Sequence, residues 1–435
     1  MTARSIAIIG AGPAGLYAAQ QLSSNPDWTV VLLNRDVKPG GLAEYGIYHD
    51  KYVMKEGLRK QFRTILAAPN IYYYGNVTVG NQGQLSLANL QQAGFDAILV
   101  TVGAQGTKWL GLPGEQLVRV YHAKDLVYHY NKLPPYANQS YPIGKRVAII
   151  GAGNVMLDIA HWLVRDQQVE SVTAVVRRGP ADVKFTRKEM ESVFANLDQA
   201  DLNAEITRTA PIMQAVGQDP AAAAQFLLSA AHKAVPSTSH TRLNFRFLAA
   251  PSEILSDTEG GASGLRITET TLVADGKGGT TAQSTDASSV LAVDTVIFAI
   301  GDTVDVNLGL PVQRGSFIKR ANPTYPVENL SYEADYGPGN IFLAGWAREA
   351  STGLVGVARK DGSNAAKAIG QYLQTLPDSG TPAGWPALLN GLPKHVDKAA
   401  WQLLEQIEQA NATAAGLPIF KFDNNAAMLE ALGLH

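Results

Sequence analysis

The chain has 435 residues, enough at roughly 150 per domain for two or three domains. Hydrophobic residues make up 46% and charged residues 17%, which excludes a disordered or fibrous protein, and a net charge of −2 gives no bulk affinity for nucleic acid. Cysteine is absent, which removes disulfide frameworks, zinc ribbons, iron–sulfur clusters held by this chain and dithiol redox chemistry.

The first apolar run begins at Ser5. SIAIIGAGPAGLYAAQQL reads as strand, glycine turn and helix, because a β-length apolar run gives way to apolar residues at helical spacing. It starts so near the first residue that no targeting segment is expected, and no apolar run reaches the roughly 20 residues of a transmembrane helix. The expected compartment is therefore the cytoplasm. A second strand, TVVLLN, ends at Asn34. The proline-rich KLPPYANQSYPIG, Lys132 to Gly144, punctuates the chain ahead of a second unit of the first kind, RVAIIGAGNVMLDIAHWLV from Arg146. From about residue 200 to 289 the pattern weakens. There Ala221 to Ala234 predicts a helix and ADGKGGTTAQSTDASS an exposed hairpin or loop. DTVIFAIGD, Asp294 to Asp302, predicts a buried strand ending in glycine. Gly339 to Ile369 predicts a strand, a turn and a helix of about four turns. The tail from Trp401 to Leu434 predicts a helix followed by a loose, partly apolar segment.

Gly10, Gly12 and Gly15 form G-x-G-x-x-G between strand and helix. The first glycine makes the tight turn, the second lets a pyrophosphate approach the backbone, and the third lets helix and strand pack closely. The helix N-terminus then offers N–H groups and a positive dipole end to the phosphates. A dinucleotide site is expected there. The next strand should end in an acid for the ribose hydroxyls, but it ends in Asn34. Its amide either bonds a ribose hydroxyl without charge assistance or serves as an ordinary strand-end turn residue. The second unit has Gly151 and Gly153, with Met156 in the third position, which should push the helix outward or turn its own side chain aside. Arg177 and Arg178 follow that unit's second strand, where an NAD-specific site carries an acid. Paired guanidiniums suit a ribose 2′-phosphate, and surface solvation is the alternative. The sequence thus calls for two dinucleotides, FAD in the unit nearer the N-terminus and NADP(H) in the second. No metal site is expected.

At this point the residues resemble the ferredoxin–NADP(+) reductases of the adrenodoxin-reductase type, almost from end to end. The likeness is carried by PGGLAEYGI, YGNVTVG, TVGAQGTKWLGLPGE, AKDLVYHYNKLPP, VVRRGPADVKFTRKEM, GWAREASTGLVGVARKDG and the terminal AMLEALGLH, beside the two glycine turns. It implies an α/β fold of two Rossmann-like, glutathione-reductase-type domains, the second inserted into the first. Residues 1–105 and 330–435 would form the FAD domain and 106–329 the NADP domain. Beside Gly10, Gly12 and Gly15, the resemblance implies that Ala14, Asn34, Leu42, Val79, Trp346, Gly353, Leu354 and Val355 line the FAD site. Ala152, Gly153, Asn154, Val155, Arg177, Arg178 and Glu189 would hold NADP(H), with Gly353 touching both cofactors. The implied activity is hydride transfer from NADPH to flavin N5, then single-electron transfer to a ferredoxin-type iron–sulfur protein or flavodoxin.

Asn34 stands where the family has glutamate. Lys51 stands where many members carry an active-site histidine, whose usual acidic partner would be Glu189. A Lys51–Glu189 ion pair near the nicotinamide is one reading of this departure, and a solvated lysine is the other. Lys55, Arg59 and Arg63 recur at i, i+4 and i+8, so they share a helical face that either docks an acidic iron–sulfur protein or is simply solvated. Arg187 and Lys188 could extend it. Neither nucleic acid nor a membrane is an expected partner. The competing functions are another NADPH-dependent flavoenzyme, whether monooxygenase-like or the flavin subunit of a larger complex, and a non-catalytic flavin-binding scaffold.

Overall fold

Ile6–Ile9 and Val147–Ile150 are buried to the last few per cent, as strands covered on both faces must be. Each is the central strand of a parallel sheet. The computed structural model describes residues 3–351, 353–377 and 384–434. Thr352 and His435, within two of the segments quoted above, lie outside the described residues. The chain divides into two units: Met1–Thr107, Tyr128–Gln139 and Gly301–His435 form the first, Lys108–Val127 and Ser140–Ile300 the second.

In the first unit the sheet order is Ile341–Leu343, Ala97–Val100, Arg4–Ile9, Trp28–Asn34, Ile71–Gly75, with every pair parallel. The order reverses on either side of Arg4–Ile9, so the crevice beyond its C-terminal end is a topological switch point, the usual seat of a ligand in such sheets. The helix Pro13–Leu22 leaves from that crevice and packs on the long helix Val355–Thr375. The approach is close, because a Cβ on Gly362 would lie 2.1 Å from the Ala14 carbonyl oxygen. This long helix has 21 residues, longer than the expected four turns.

The second unit repeats the plan. Its sheet runs Val120–His122, Thr295–Phe298, Arg146–Ile150, Ser171–Val176, Arg242–Phe247, again all parallel. Gly151 lies at the switch point. The weakly patterned region supplies a three-stranded antiparallel sheet, Ala249–Ser256, Ala262–Ala274 and Thr280–Leu291, whose last two strands form the expected hairpin.

The inserted unit is shorter than the 106–329 expected. Asp302–Thr303 pairs with Gly106–Thr107, and Val304, Leu308, Leu310 and Phe317 bury themselves in the first unit's core. Tyr128 and Leu133 pack on Tyr45 there. Apolar residues in these two returning segments find their partners in the first unit, so the segments belong to it. Among the described residues no helix is long and apolar enough to cross a membrane.

Candidate functional site

The first glycine turn is shaped by steric necessity. Gly10 has φ +104°, and a Cβ there would meet the Thr101 carbonyl oxygen at 2.6 Å. A Cβ on Gly15 would come within 2.1 Å of the Gly10 carbonyl oxygen. Gly12 differs, since the nearest atom to a Cβ there is Gly41 Cα at 4.0 Å. The space above it is open, and the helix Pro13–Leu22 starts without a side-chain cap. Bare N–H groups beside an open glycine are what a pyrophosphate requires. Thr101, which the sequence reading missed, steadies the turn by donating to the carbonyls of Ile9 at 3.0 Å and Gly10 at 2.7 Å.

Asn34 is buried and its amide is almost fully bonded. Its Oδ1 accepts from the Ala11 N–H at 2.9 Å, and its Nδ2 donates to the carbonyls of Asp36 and Lys38, both at 2.9 Å. One lone pair on Oδ1 is the only bonding capacity these contacts leave. Asn34 thereby joins the glycine turn to the loop that follows its own strand. That loop is also tied down directly, because the Gly40 N–H donates to the Ala11 carbonyl at 2.7 Å. A Cβ on Gly41 would sit 3.0 Å from Gly12 Cα. The short helix Leu42–Tyr45 follows, with Leu42 half-buried against Tyr45, Tyr128 and Leu133. Val79 is half-buried and bridges to Leu85.

The turn at Trp346 belongs to the same neighbourhood, since a Cβ on Gly345 would be 2.8 Å from Ala14 Cβ. It is held by a buried pair that the sequence reading missed. Asp361 accepts from the Gly345 N–H at 2.6 Å and from Arg348 Nη2 at 2.7 Å. The legible signal was Asp361–Gly362 in mid-helix, since both are poor helix formers. Gly353 has φ +79°, and a Cβ there would collide with Val357 at 2.5 Å. After it, Leu354 is exposed and Val355 opens the long helix, again without a side-chain cap.

The basic helical face is corrected by the structure. Lys55 is 3% exposed and donates to Asn131 Oδ1 at 2.6 Å; burial pushes its pKa down to about 7. Arg59 grips Glu44 with Nε at 2.7 Å and Nη2 at 2.6 Å, and also pairs with Glu56. Arg63 is the most exposed of the three, paired with Glu405 at 2.9 Å. Burial takes Lys55 off the surface and two carboxylates engage Arg59, so Lys55, Arg59 and Arg63 do not form an open docking patch. Lys51 ends the single turn His49–Lys51, its N–H donating to the Tyr48 carbonyl at 3.1 Å.

In the second unit, nothing lies within 4 Å of where a Gly153 Cβ would be, and the helix Asn154–Trp162 also begins uncapped. Met156 is fully buried, so its side chain turns into the core. Val155 is exposed. The Ala152 carbonyl accepts from the Lys184 N–H at 2.7 Å, and Asn154 Oδ1 from the Thr186 N–H at 2.8 Å. These bonds fasten to the glycine turn the segment that leads into the helix Arg187–Glu191, which carries Glu189. Arg177 and Arg178 are fixed through their backbones: the carbonyl of Arg177 accepts from Thr270 Oγ1 at 2.7 Å, that of Arg178 from the Leu248 N–H at 3.2 Å. Arg177 is exposed, and Arg178 stands 3.7 Å from Asp182. The structure therefore brings Gly10, Gly12, Ala14, Gly15 and Asn34 together with the Trp346 turn in one unit. It gathers 152–155 with the segment leading to Glu189 in the other, whereas Lys51 and Glu189 belong to different units.

The family described as pyridine nucleotide-disulphide oxidoreductase matches residues 4–198. The NADPH-ferredoxin reductase FprA of Mycobacterium leprae is 28% identical, over 98% of this chain and 97% of its own. The mitochondrial NADPH:adrenodoxin oxidoreductase of Salvelinus fontinalis is 27% identical over 98% of this chain and 90% of its own. A solved structure of Mycobacterium tuberculosis FprA in complex with NADPH superposes with a TM-score of 0.83 at 26% identity, covering 99% of both chains.

Proposed function

Because the chain belongs to the ferredoxin–NADP reductases of the adrenodoxin-reductase type, we propose that it is an FAD-dependent oxidoreductase taking electrons from NADPH to a ferredoxin-type iron–sulfur protein or flavodoxin. The observation that carries this reading is the duplicated cradle. Each unit has an uncapped helix N-terminus over an open glycine at a sheet's switch point, Gly12 in one and Gly153 in the other. The residues present therefore fit a dinucleotide in each unit. When bound, FAD and NADP(H) supply hydride transfer from nicotinamide to flavin N5 and the splitting of the electron pair into single electrons.

The chain's part is to bind and orient. In the first unit we assign FAD to Gly10, Gly12, Ala14, Gly15, Leu42, Val79, Trp346 and Gly353–Val355, with Asn34 holding the turn. The uncapped end of the helix Val355–Thr375 favours negative charge on the group it meets. In the second unit we assign NADP(H) to Ala152–Val155, Arg177, Arg178 and Glu189. The guanidiniums there take the 2′-phosphate. Lys51 and Glu189, each in its own unit, are further proposed to support the nicotinamide and flavin environment. Lys51→Ala is expected to weaken NADPH binding or slow flavin reduction, and unchanged stopped-flow reduction kinetics would remove Lys51 from the site.

For the acidic partner we propose the second unit's basic groove of about 670 Å³, lined by Arg187, Lys188, Lys233, Phe226 and Glu191. Cations around a half-exposed aromatic ring suit an acidic protein surface. Reversing Lys188 and Lys233 to Glu should raise KM for a ferredoxin about tenfold and leave ferricyanide turnover unchanged. Equal ferredoxin kinetics would place docking elsewhere. The proposed compartment is the cytoplasm.

A further inference from the structure

The C-terminal segment returns to the loop that leans on the first glycine turn. Lys421 is 10% exposed, with Nζ 2.6 Å from Glu44 Oε1. The same amine donates to the Glu44 carbonyl at 3.1 Å and the Asn131 carbonyl at 3.4 Å, and it lies 4.9 Å over the Tyr45 ring. One side chain thus ties together the helix Leu42–Tyr45, the returning segment Tyr128–Gln139 and the chain's tail. Both sides of the tie are braced. The Phe422 N–H donates to Glu408 Oε1 at 3.4 Å, Glu408 pairs with Lys38, and Asn138 Nδ2 donates to the Asp423 carbonyl at 3.4 Å. Beyond it Met428 is buried in the core, with Leu429, Leu432 and Leu434 packed against that core.

Glu44 is the buried anchor of this arrangement. Burial alone pushes its carboxyl up, but Lys421, Lys38 and Arg59 together outweigh that and hold it well below the usual carboxylate range. The helix carrying it cannot shift independently of the cradle, because Gly40 bonds Ala11 and Gly41 abuts Gly12. A displaced Glu44 therefore displaces the open side of the turn at Gly12.

We propose that Lys421 is a positioning residue for FAD: it locks residues 40–45 against the glycine turn, so the C-terminal segment governs how tightly the first unit holds its cofactor. This rests on the assignment of FAD to that unit. Lys421→Met leaves the carbonyls of Glu44 and Asn131 without their donor and removes one of three cations facing Glu44.

The test is the rate of FAD release from the purified holoprotein, followed by the rise of free-flavin fluorescence on dilution. Lys421→Met should release FAD about tenfold faster than wild type, the loss expected for one charged hydrogen-bonding group. Lys421→Arg, which keeps charge and donors, should restore most of the retention. The dissociation constant for NADP(+), set in the other unit, should not move in either variant. If Lys421→Met does not fold, Lys421→Gln is read in its place. A wild-type release rate in the variant lacking the amine would overturn the proposal, as would a parallel loss of NADP(+) affinity, which marks general unfolding. A wild-type protein that neither carries nor takes up FAD would overturn the cofactor assignment itself, a separate and recognisable failure.

Discussion

At position 34 the chain needs a donor as well as an acceptor. Asn34 Nδ2 faces two carbonyl oxygens, so a carboxylate there would put charge against charge-rich acceptors while still accepting from Ala11. Asn34→Asp supplies the acid that related dinucleotide turns use for the ribose. It is nevertheless expected to destabilise the protein by about 2 kcal/mol and loosen FAD, because two buried acceptors lose their donor. Chemical denaturation and flavin retention check this, and a variant that binds FAD more tightly would contradict it. Lys55 gives a second prediction of the same scale. Its pKa is depressed to about 7 in the fold against an ordinary 10.5, so between those pH values the unfolded chain holds a proton that the folded one lacks. Stability should therefore rise as pH climbs from about 7 to about 10. Lys55→Met should flatten that rise, as measured by thermal melts at both ends of the window.

Among the elements, each strand–turn–helix was legible because its causes are local: an apolar run, a glycine that a Cβ would block, and apolar residues at helical spacing. The basic face at Lys55, Arg59 and Arg63 was not legible in the same way. Spacing says which residues share a face of a helix, but what covers that face comes from elsewhere. Here Asn131 is 76 residues from Lys55, and Glu44 arrives on a separate helix. The ends of the insertion were hidden for a similar reason, since Asp302–Thr303 pairs with a strand almost two hundred residues earlier. The turn after Ser171–Val176 is an element whose specificity is testable alone. Its two arginines are anchored through backbone carbonyls, so truncating their side chains leaves the turn in place. Arg177→Ala with Arg178→Ala should raise KM for NADPH by about one to two orders of magnitude, the loss of charge-assisted phosphate contacts, and leave KM for NADH unchanged. Equal effects on both nucleotides would show that the arginines do not read the 2′-phosphate.

Over the whole molecule, one plan is used twice. Two parallel five-stranded sheets each reverse their order beside a glycine turn, and each turn opens an uncapped helix. The chain has no cysteine, so electrons entering it cannot be held as a protein disulfide. The two cradles and the arginine pair make one joint claim: FAD in the first unit, reduced by NADPH in preference to NADH. The measurement that tests it most directly is anaerobic absorbance of the purified protein after adding each nucleotide to a separate sample. Rapid bleaching of the yellow flavin band by NADPH, with slow or no bleaching by NADH, is the result expected. A flavin that stays oxidised with both would contradict the claim.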